Sequence, residues 1–154
     1  MTILVLSLLI GVIAGLRALT APAAVAWAAY LGWLPLAATQ LAFMGHVAAP
    51  WVFSVLGLGE LVADQLPTTP SRKVPVQFGT RIAMGALCGA AIAAPSGQLV
   101  LGLIAGVVGA VIGTLGGAAA RAKLAQAFGR DLPAALIEDV VAIGGALAIV
   151  CCAR

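Results

Sequence analysis

The stretch QLVLGLIAGVVGAVIGTLGGAA, residues 98–119, runs for 22 positions without one ionisable side chain. A helix needs about 20 predominantly apolar residues to cross a hydrocarbon layer about 30 Å thick, so this run predicts a transmembrane helix. Working outward, apolar runs recur at 2–16, 20–44, 47–66, 80–95 and 133–153. The run at 20–44 stands apart, because Pro22 and Pro35 interrupt it with Gly32 between them. It reads either as a crossing or as two short helices, re-entrant or lying in the interface.

Composition points the same way along the whole chain. Of 154 residues, 63% are hydrophobic and 8% charged, against roughly 45–50% apolar and about 25% charged in a soluble domain. A soluble fold of this size has too little interior to hide that surface, so the expected fold class is all-α, a polytopic transmembrane helical bundle forming a single integral membrane domain over 1–154. The first sixteen residues are not read as a secretory signal, because no Lys or Arg precedes Arg17 and the apolar runs never give way to a soluble chain.

Charge placement orients the spans, since cytoplasmic loops collect Lys and Arg. If 20–44 crosses, Arg17, Arg72, Lys73, Arg81, Arg121, Lys123 and Arg130 share one side, leaving His46 and Arg154 on the other. About six spans with both termini outside is the first choice. Five spans, with 20–44 re-entrant and the amino terminus inside, is the alternative.

Small residues recur at four-residue spacing: Gly11 and Gly15, Gly85 and Gly89, Gly102 and Gly106, and Gly109, Gly113 and Gly117. This GxxxG pattern lines one helix face and lets backbones approach, within a protomer or between protomers. A shift of 98 residues also lays Gly11 on Gly109, Gly15 on Gly113, Tyr30 on Phe128, and Leu34–Pro35 on Leu132–Pro133. That is a possible internal repeat, of the kind that places transporter sites where two halves meet.

Against this apolar background, GELVADQLPTTPSRK (59–73) concentrates Glu60, Asp64, Arg72 and Lys73. Counted from Pro67, Glu60 should lie about 10 Å inside its span at 1.5 Å per residue. Asp64 shares its face one turn shallower, and Glu138 and Asp139 follow Pro133 at a similar depth in the last span. Ionised groups within a membrane are costly and are normally paired inside the bundle. Arg17 and Arg81, at helix ends, are the expected partners.

The expected substrate- or ion-binding set is therefore Arg17, Glu60, Asp64, Arg81, Glu138 and Asp139. Ser71, Arg72 and Lys73 are candidate contacts for an anion or lipid headgroup, offering hydroxyl, guanidinium and ammonium donors. For Arg72, Lys73, Arg121, Lys123 and Arg130, setting membrane orientation is the simpler role. Acids and arginines near helix ends also fix helix register without binding anything.

Catalytic chemistry has little to hold. The single histidine, His46, falls at an outer turn away from the acids, so neither a nucleophilic triad nor a His-based metal site is expected. Cys88, Cys151 and Cys152 lack the spacing of a metal site or a disulfide framework and read as packing residues. No catalytic residue, cofactor or resident metal is expected, and an enzyme is the less favoured reading.

The segments GLRALTAP (15–22), PWV (50–52), GELVADQLP (59–67), PSRKVP (70–75) and LIEDVVAIGG (136–145) resemble a bacterial membrane family known as domain of unknown function 4126. The resemblance covers most of the chain. It implies a small multi-pass protein of the bacterial inner (cytoplasmic) membrane, and it transfers no activity and no catalytic residues.

Three functions follow, of which the first is preferred. The first is a small transporter or permease-like protein, its expected partners being the lipid bilayer, a small ion or solute and a second copy of the chain, with no nucleic acid. There Glu60 and Glu138 bind a cation or carry protons, Asp64 and Asp139 support them, and Arg17 and Arg81 serve as counter-ions or contacts for a small anionic solute. The second is an integral-membrane enzyme or binder for a lipid phosphate, its acids holding Mg²⁺. The third is a membrane scaffold or assembly protein.

Overall fold

The computed structural model describes residues 2–64, 66 and 74–154. Among these residues there are six α-helices and no strand: α1 (Ile3–Leu16), α2 (Thr20–Tyr30), α3 (Ala48–Ala63), α4 (Pro75–Ala93), α5 (Leu99–Phe128) and α6 (Asp131–Cys152). Single 3₁₀ turns at Ala42–Gly45 and Ala94–Ser96 lie in the connections.

Prolines mark where helices begin. Pro22, Pro50, Pro75 and Pro133 all fall in the first turn of α2, α3, α4 and α6 respectively, where a missing N–H removes no intrahelical hydrogen bond. Pro22 therefore starts a helix rather than breaking one. The segment 20–44 is accordingly not one continuous helix: α2 ends at Tyr30, and the chain continues through turns to the 3₁₀ turn at Ala42. At the other end of the bundle, Gly129 adopts φ 66°, the left-handed conformation that closes a helix C-terminus, and turns α5 into α6.

Length separates the helices into two groups. Pro75–Ser96, Leu99–Phe128 and Asp131–Cys152 are each long and apolar enough to cross a membrane. Helices α1 and α3, of 14 and 16 residues, are apolar but shorter. The 30 residues of α5 extend about 45 Å, well beyond a hydrocarbon layer, so the helix runs nine residues past the expected 119 and carries Arg121 and Lys123 toward its end.

The core is built where backbones touch. Helix α4 runs antiparallel to α1 and α5, and at their meeting a Cβ on Gly106 would collide with the carbonyl of Gly85, while one on Gly11 would collide with Gly106 itself. Gly109 and Gly113 lie equally close to Leu8 and Val12 of α1. Within lipid, such close packing is a main source of helix association. Two hydroxyls add interhelical bonds: Ser7 donates to the Gly89 carbonyl at 3.0 Å and Thr114 to the Gly15 carbonyl at 3.3 Å.

Helices α2 and α6 pack against this trio. Arg17 at the end of α1 meets Asp139 of α6, and Gly145 of α6 faces Ile13, so α1 and α6 are antiparallel. Helix α2 starts beside that same Arg17–Asp139 pair, and just past its end Trp33 lies under the Arg154 guanidinium at 5.5 Å. It thus runs alongside α6, and the chain reverses direction between α1 and α2.

Helix α3 packs back on α2 through Trp27, whose indole N–H donates to Ser54 at 3.0 Å and whose ring meets Trp51 edge-on at 5.4 Å. Only Pro50 and Gly57 of α3 are buried, and α3 scarcely touches α4. The two segments related by the 98-residue shift follow different courses, because α1 reverses into α2 while the matching part of α5 runs straight on.

Candidate functional site

All five acids of the chain, Glu60, Asp64, Asp131, Glu138 and Asp139, lie at the end of the bundle where α1, α3 and α5 finish. The feature that organises them is the reversal at Arg17–Leu19. Arg17 leaves the helical conformation at φ −139° and ψ 113°, which ends α1 deep in the bundle and leaves two helix termini with unsatisfied backbone groups.

Each terminus is satisfied by a charged side chain from a different helix. At the α1 end, Arg81 of α4 donates to the carbonyls of Gly15 and Leu16 at 2.8 and 2.6 Å. At the α2 start, Leu19 supplies no capping side chain, and Glu60 of α3 accepts from the backbone N–H groups of Ala18 and Leu19, both at 2.9 Å. A guanidinium at a helix C-terminus and a carboxylate at an N-terminus both match the helix dipole. Glu60 and Arg81 stand 3.7 Å apart, which links the two caps.

The side chain of Arg17 is fully buried and donates to two carboxylates, Asp64 at the end of α3 and Asp139 on α6. Its Nε lies buried without a hydrogen-bond partner. A guanidinium in this setting is tolerated because both acids neutralise it, and their joint grip fixes α3 and α6 to the turn.

A second knot joins α5 to α6. Arg121 makes a forked contact with Asp131 at 2.9 and 2.5 Å, donates to the backbone oxygen of Asp64 at 3.2 Å and stands 3.6 Å from Glu138. A planar guanidinium suits such a fork. Sequence reasoning gave Arg121 only an orienting role and passed over Asp131. The Gly129 turn folds α6 back along α5, which sets Arg121 level with Glu138, and the long Arg121 side chain also reaches Asp131 at the start of α6.

Five of the six expected binding residues fall in two adjoining groups, Arg17, Asp64 and Asp139 in one and Glu60 and Arg81 in the other, while Glu138 stands with Arg121. Depth is the point of correction. Helix α3 ends at Ala63 and Asp64 is its C-cap, so Glu60 sits in the last helical turn and not about 10 Å inside the helix end. Ser71, Arg72 and Lys73 lie outside the described residues.

Between α3 and α4 this network borders a cavity of about 440 Å³, lined by Glu60, Asp64, Gln77, Thr80 and Arg81 with apolar walls from Leu19, Leu66 and Val76. The volume is in the range of small-ligand sites, roughly 300–1,000 Å³. Among the described residues no group of three or more His, Cys, Asp and Glu side chains is placed to hold a metal ion. His46 sits in the connection at the opposite end, beside the start of α3.

A model of the family described as "Domain of unknown function (DUF4126)" matches residues 4–152. No curated protein and no solved structure matches the chain.

Proposed function

The chain belongs to the DUF4126 family, a family without an assigned activity, and on that premise we propose that it is a small multi-pass membrane protein of transporter type. In this reading it takes a small cation or protons into the cavity between α3 and α4. The supporting observation is that Glu60 and Asp64, two carboxylates on an otherwise apolar helix, line that cavity together with Gln77, Thr80 and Arg81.

A carboxylate used only as a ballast charge needs no space around it. Here the cavity leaves room for a solute beside both acids, with an amide and a hydroxyl to complete its coordination. Glu60 is the primary ligand and Asp64 its neighbour one turn on. Arg17 and Arg81 hold the acids in place, and Glu138 and Asp139 extend the acidic path into α6.

The reading includes six membrane passes with the charged end in the cytoplasm of a bacterial inner membrane, as the concentration of basic residues at that end favours. It includes a homodimer, whose second copy covers the open flank of α3. Flux of a cation or of protons into sealed proteoliposomes tests it. Wild-type protein should conduct and Glu60→Gln should not; equal flux in the folded variant would refute the role of the cavity.

One observation favours a second reading. The cavity opens between two helices that scarcely touch, and Leu66 and Val76 at its edge are exposed, which suits a lipid whose headgroup enters sideways. Lipid that copurifies and is lost in Arg81→Ala would support a headgroup binder over a transporter.

A further inference from the structure

The acid that lines the cavity is the same acid that caps α2. Glu60 lines the cavity and, with both carboxylate oxygens, accepts hydrogen bonds from the backbone N–H groups of Ala18 and Leu19 at 2.9 Å. We propose that Glu60 is a latch that couples occupancy of the cavity to the α1–α2 turn: a cation or proton that takes the Glu60 carboxylate releases the start of α2. The proposal deepens the reading of the cavity as a cation or proton site and rests on it.

The physical argument is one of shared acceptors. An ionised carboxylate serves two amide donors and the nearby Arg81, but a protonated one keeps a single good acceptor and gains a donor of its own. A bound cation competes for the same lone pairs. Either event leaves part-buried N–H groups short of a partner, and the backbone moves or admits water to satisfy them.

The turn is also the point that most other helices hold. Arg81 of α4 grips the carbonyls of residues 15 and 16, and Arg17 engages Asp64 of α3 and Asp139 of α6. Arg121 of α5 adds a bond to the Asp64 backbone. Among the described residues these are the charged groups around Glu60, and each reaches the turn or its immediate neighbour. Loss of the Glu60 contacts therefore loosens the end of α3 from the start of α2, while Trp27 still joins the two helices further along and α1 stays fixed by its glycine packing against α4 and α5. Such a displacement would widen the cavity at its α3 wall.

Hydrogen exchange of the protein in lipid nanodiscs tests this without a transport assay. In Glu60→Gln the amides of Ala18, Leu19 and the first turn of α2 should exchange roughly tenfold faster or more, with residues 102–114 of α5 unchanged. In the wild type, lowering the pH should bring about the same local acceleration after correction for intrinsic rates, which serves as the measurement if the variant fails to fold. Unchanged exchange at 18–23 under both conditions, or acceleration spread equally into α5, would overturn the latch. Flux lost in Glu60→Gln with unchanged local exchange removes the latch and keeps the cavity; faster exchange with flux intact keeps the latch as a structural cap and removes the transport role.

Discussion

Arg81 donates to the carbonyl oxygen of Leu16 at 2.6 Å, so the last turn of α1 is finished by a side chain from α4. The same nitrogen reaches Gly15, and the residue is 2% exposed. Replacing it by Ala strands buried carbonyls and the Glu60 carboxylate, at a cost of about 3–5 kcal/mol. Arg81→Lys should recover only part of this, because one ammonium does not reproduce a planar fork. Thermal unfolding in detergent, ranked wild type, Lys, Ala, checks the order.

Arg17 predicts a non-additive pair. Removing it as Arg17→Met leaves Asp64 and Asp139 facing each other without the cation between them, and this variant should be strongly destabilised. Adding Asp139→Asn removes one of the opposed charges and should restore part of the loss, a coupling of about 0.5–3 kcal/mol. A double variant as unstable as the sum of the singles would show that the two residues do not act as a unit.

Glycine contacts distinguish packing positions from passive ones. A Cβ at Gly106 meets the backbone of Gly85, whereas one at Gly144 meets nothing within 4 Å. Gly106→Ala should lower stability by about 1–3 kcal/mol, and Gly144→Ala should be neutral or slightly stabilising through helix propensity, by up to about 1 kcal/mol. The two variants differ by the same single methyl group, so a common change in Tm for both would contradict the packing.

Sidedness is checked by thiol labelling. His46 lies in the connection before α3, and Lys123 lies near the end of α5, at opposite ends of the bundle. In a background lacking Cys88, Cys151 and Cys152, His46→Cys should react with a membrane-impermeant reagent from outside the cell and Lys123→Cys only after the membrane is opened.

Much of this arrangement was legible in the residues. Long uncharged runs such as 99–119 fix the membrane character by length and hydropathy alone, and the rarity of charge made Arg17, Glu60, Asp64, Arg81, Glu138 and Asp139 conspicuous. Arg17 and Arg81 meet Asp64, Asp139 and Glu60, whereas Glu138 stands beside Arg121, to which the residues alone gave only an orienting role.

Three features resisted. The reversal after Arg17 depends on capping groups supplied by α3 and α4, and no local signal in Arg-Ala-Leu announces an interruption that distant side chains stabilise. Proline was misleading at position 22, where the same residue type that ends helices instead begins one. The depth of Glu60 followed the same pattern: counting from Pro67 assumed a helix that continues to it, and α3 stops at Ala63.

The central claim is that Glu60 and Asp64 bind a small cation or proton in the cavity, and ligand-induced stabilisation measures it most directly. Purified protein is unfolded thermally against sodium, potassium, magnesium and small organic ammonium ions, with phosphates and lipid headgroups as the contrasting panel, for wild type and Glu60→Gln. A cation at a hundred times its dissociation constant should stabilise the wild type by about 2.7 kcal/mol, with the increment lost in the variant. If the panel leaves the wild type unmoved, or if the same cation stabilises Glu60→Gln equally, the acids around the α1–α2 turn are a structural ion network and the cavity is not a cation site.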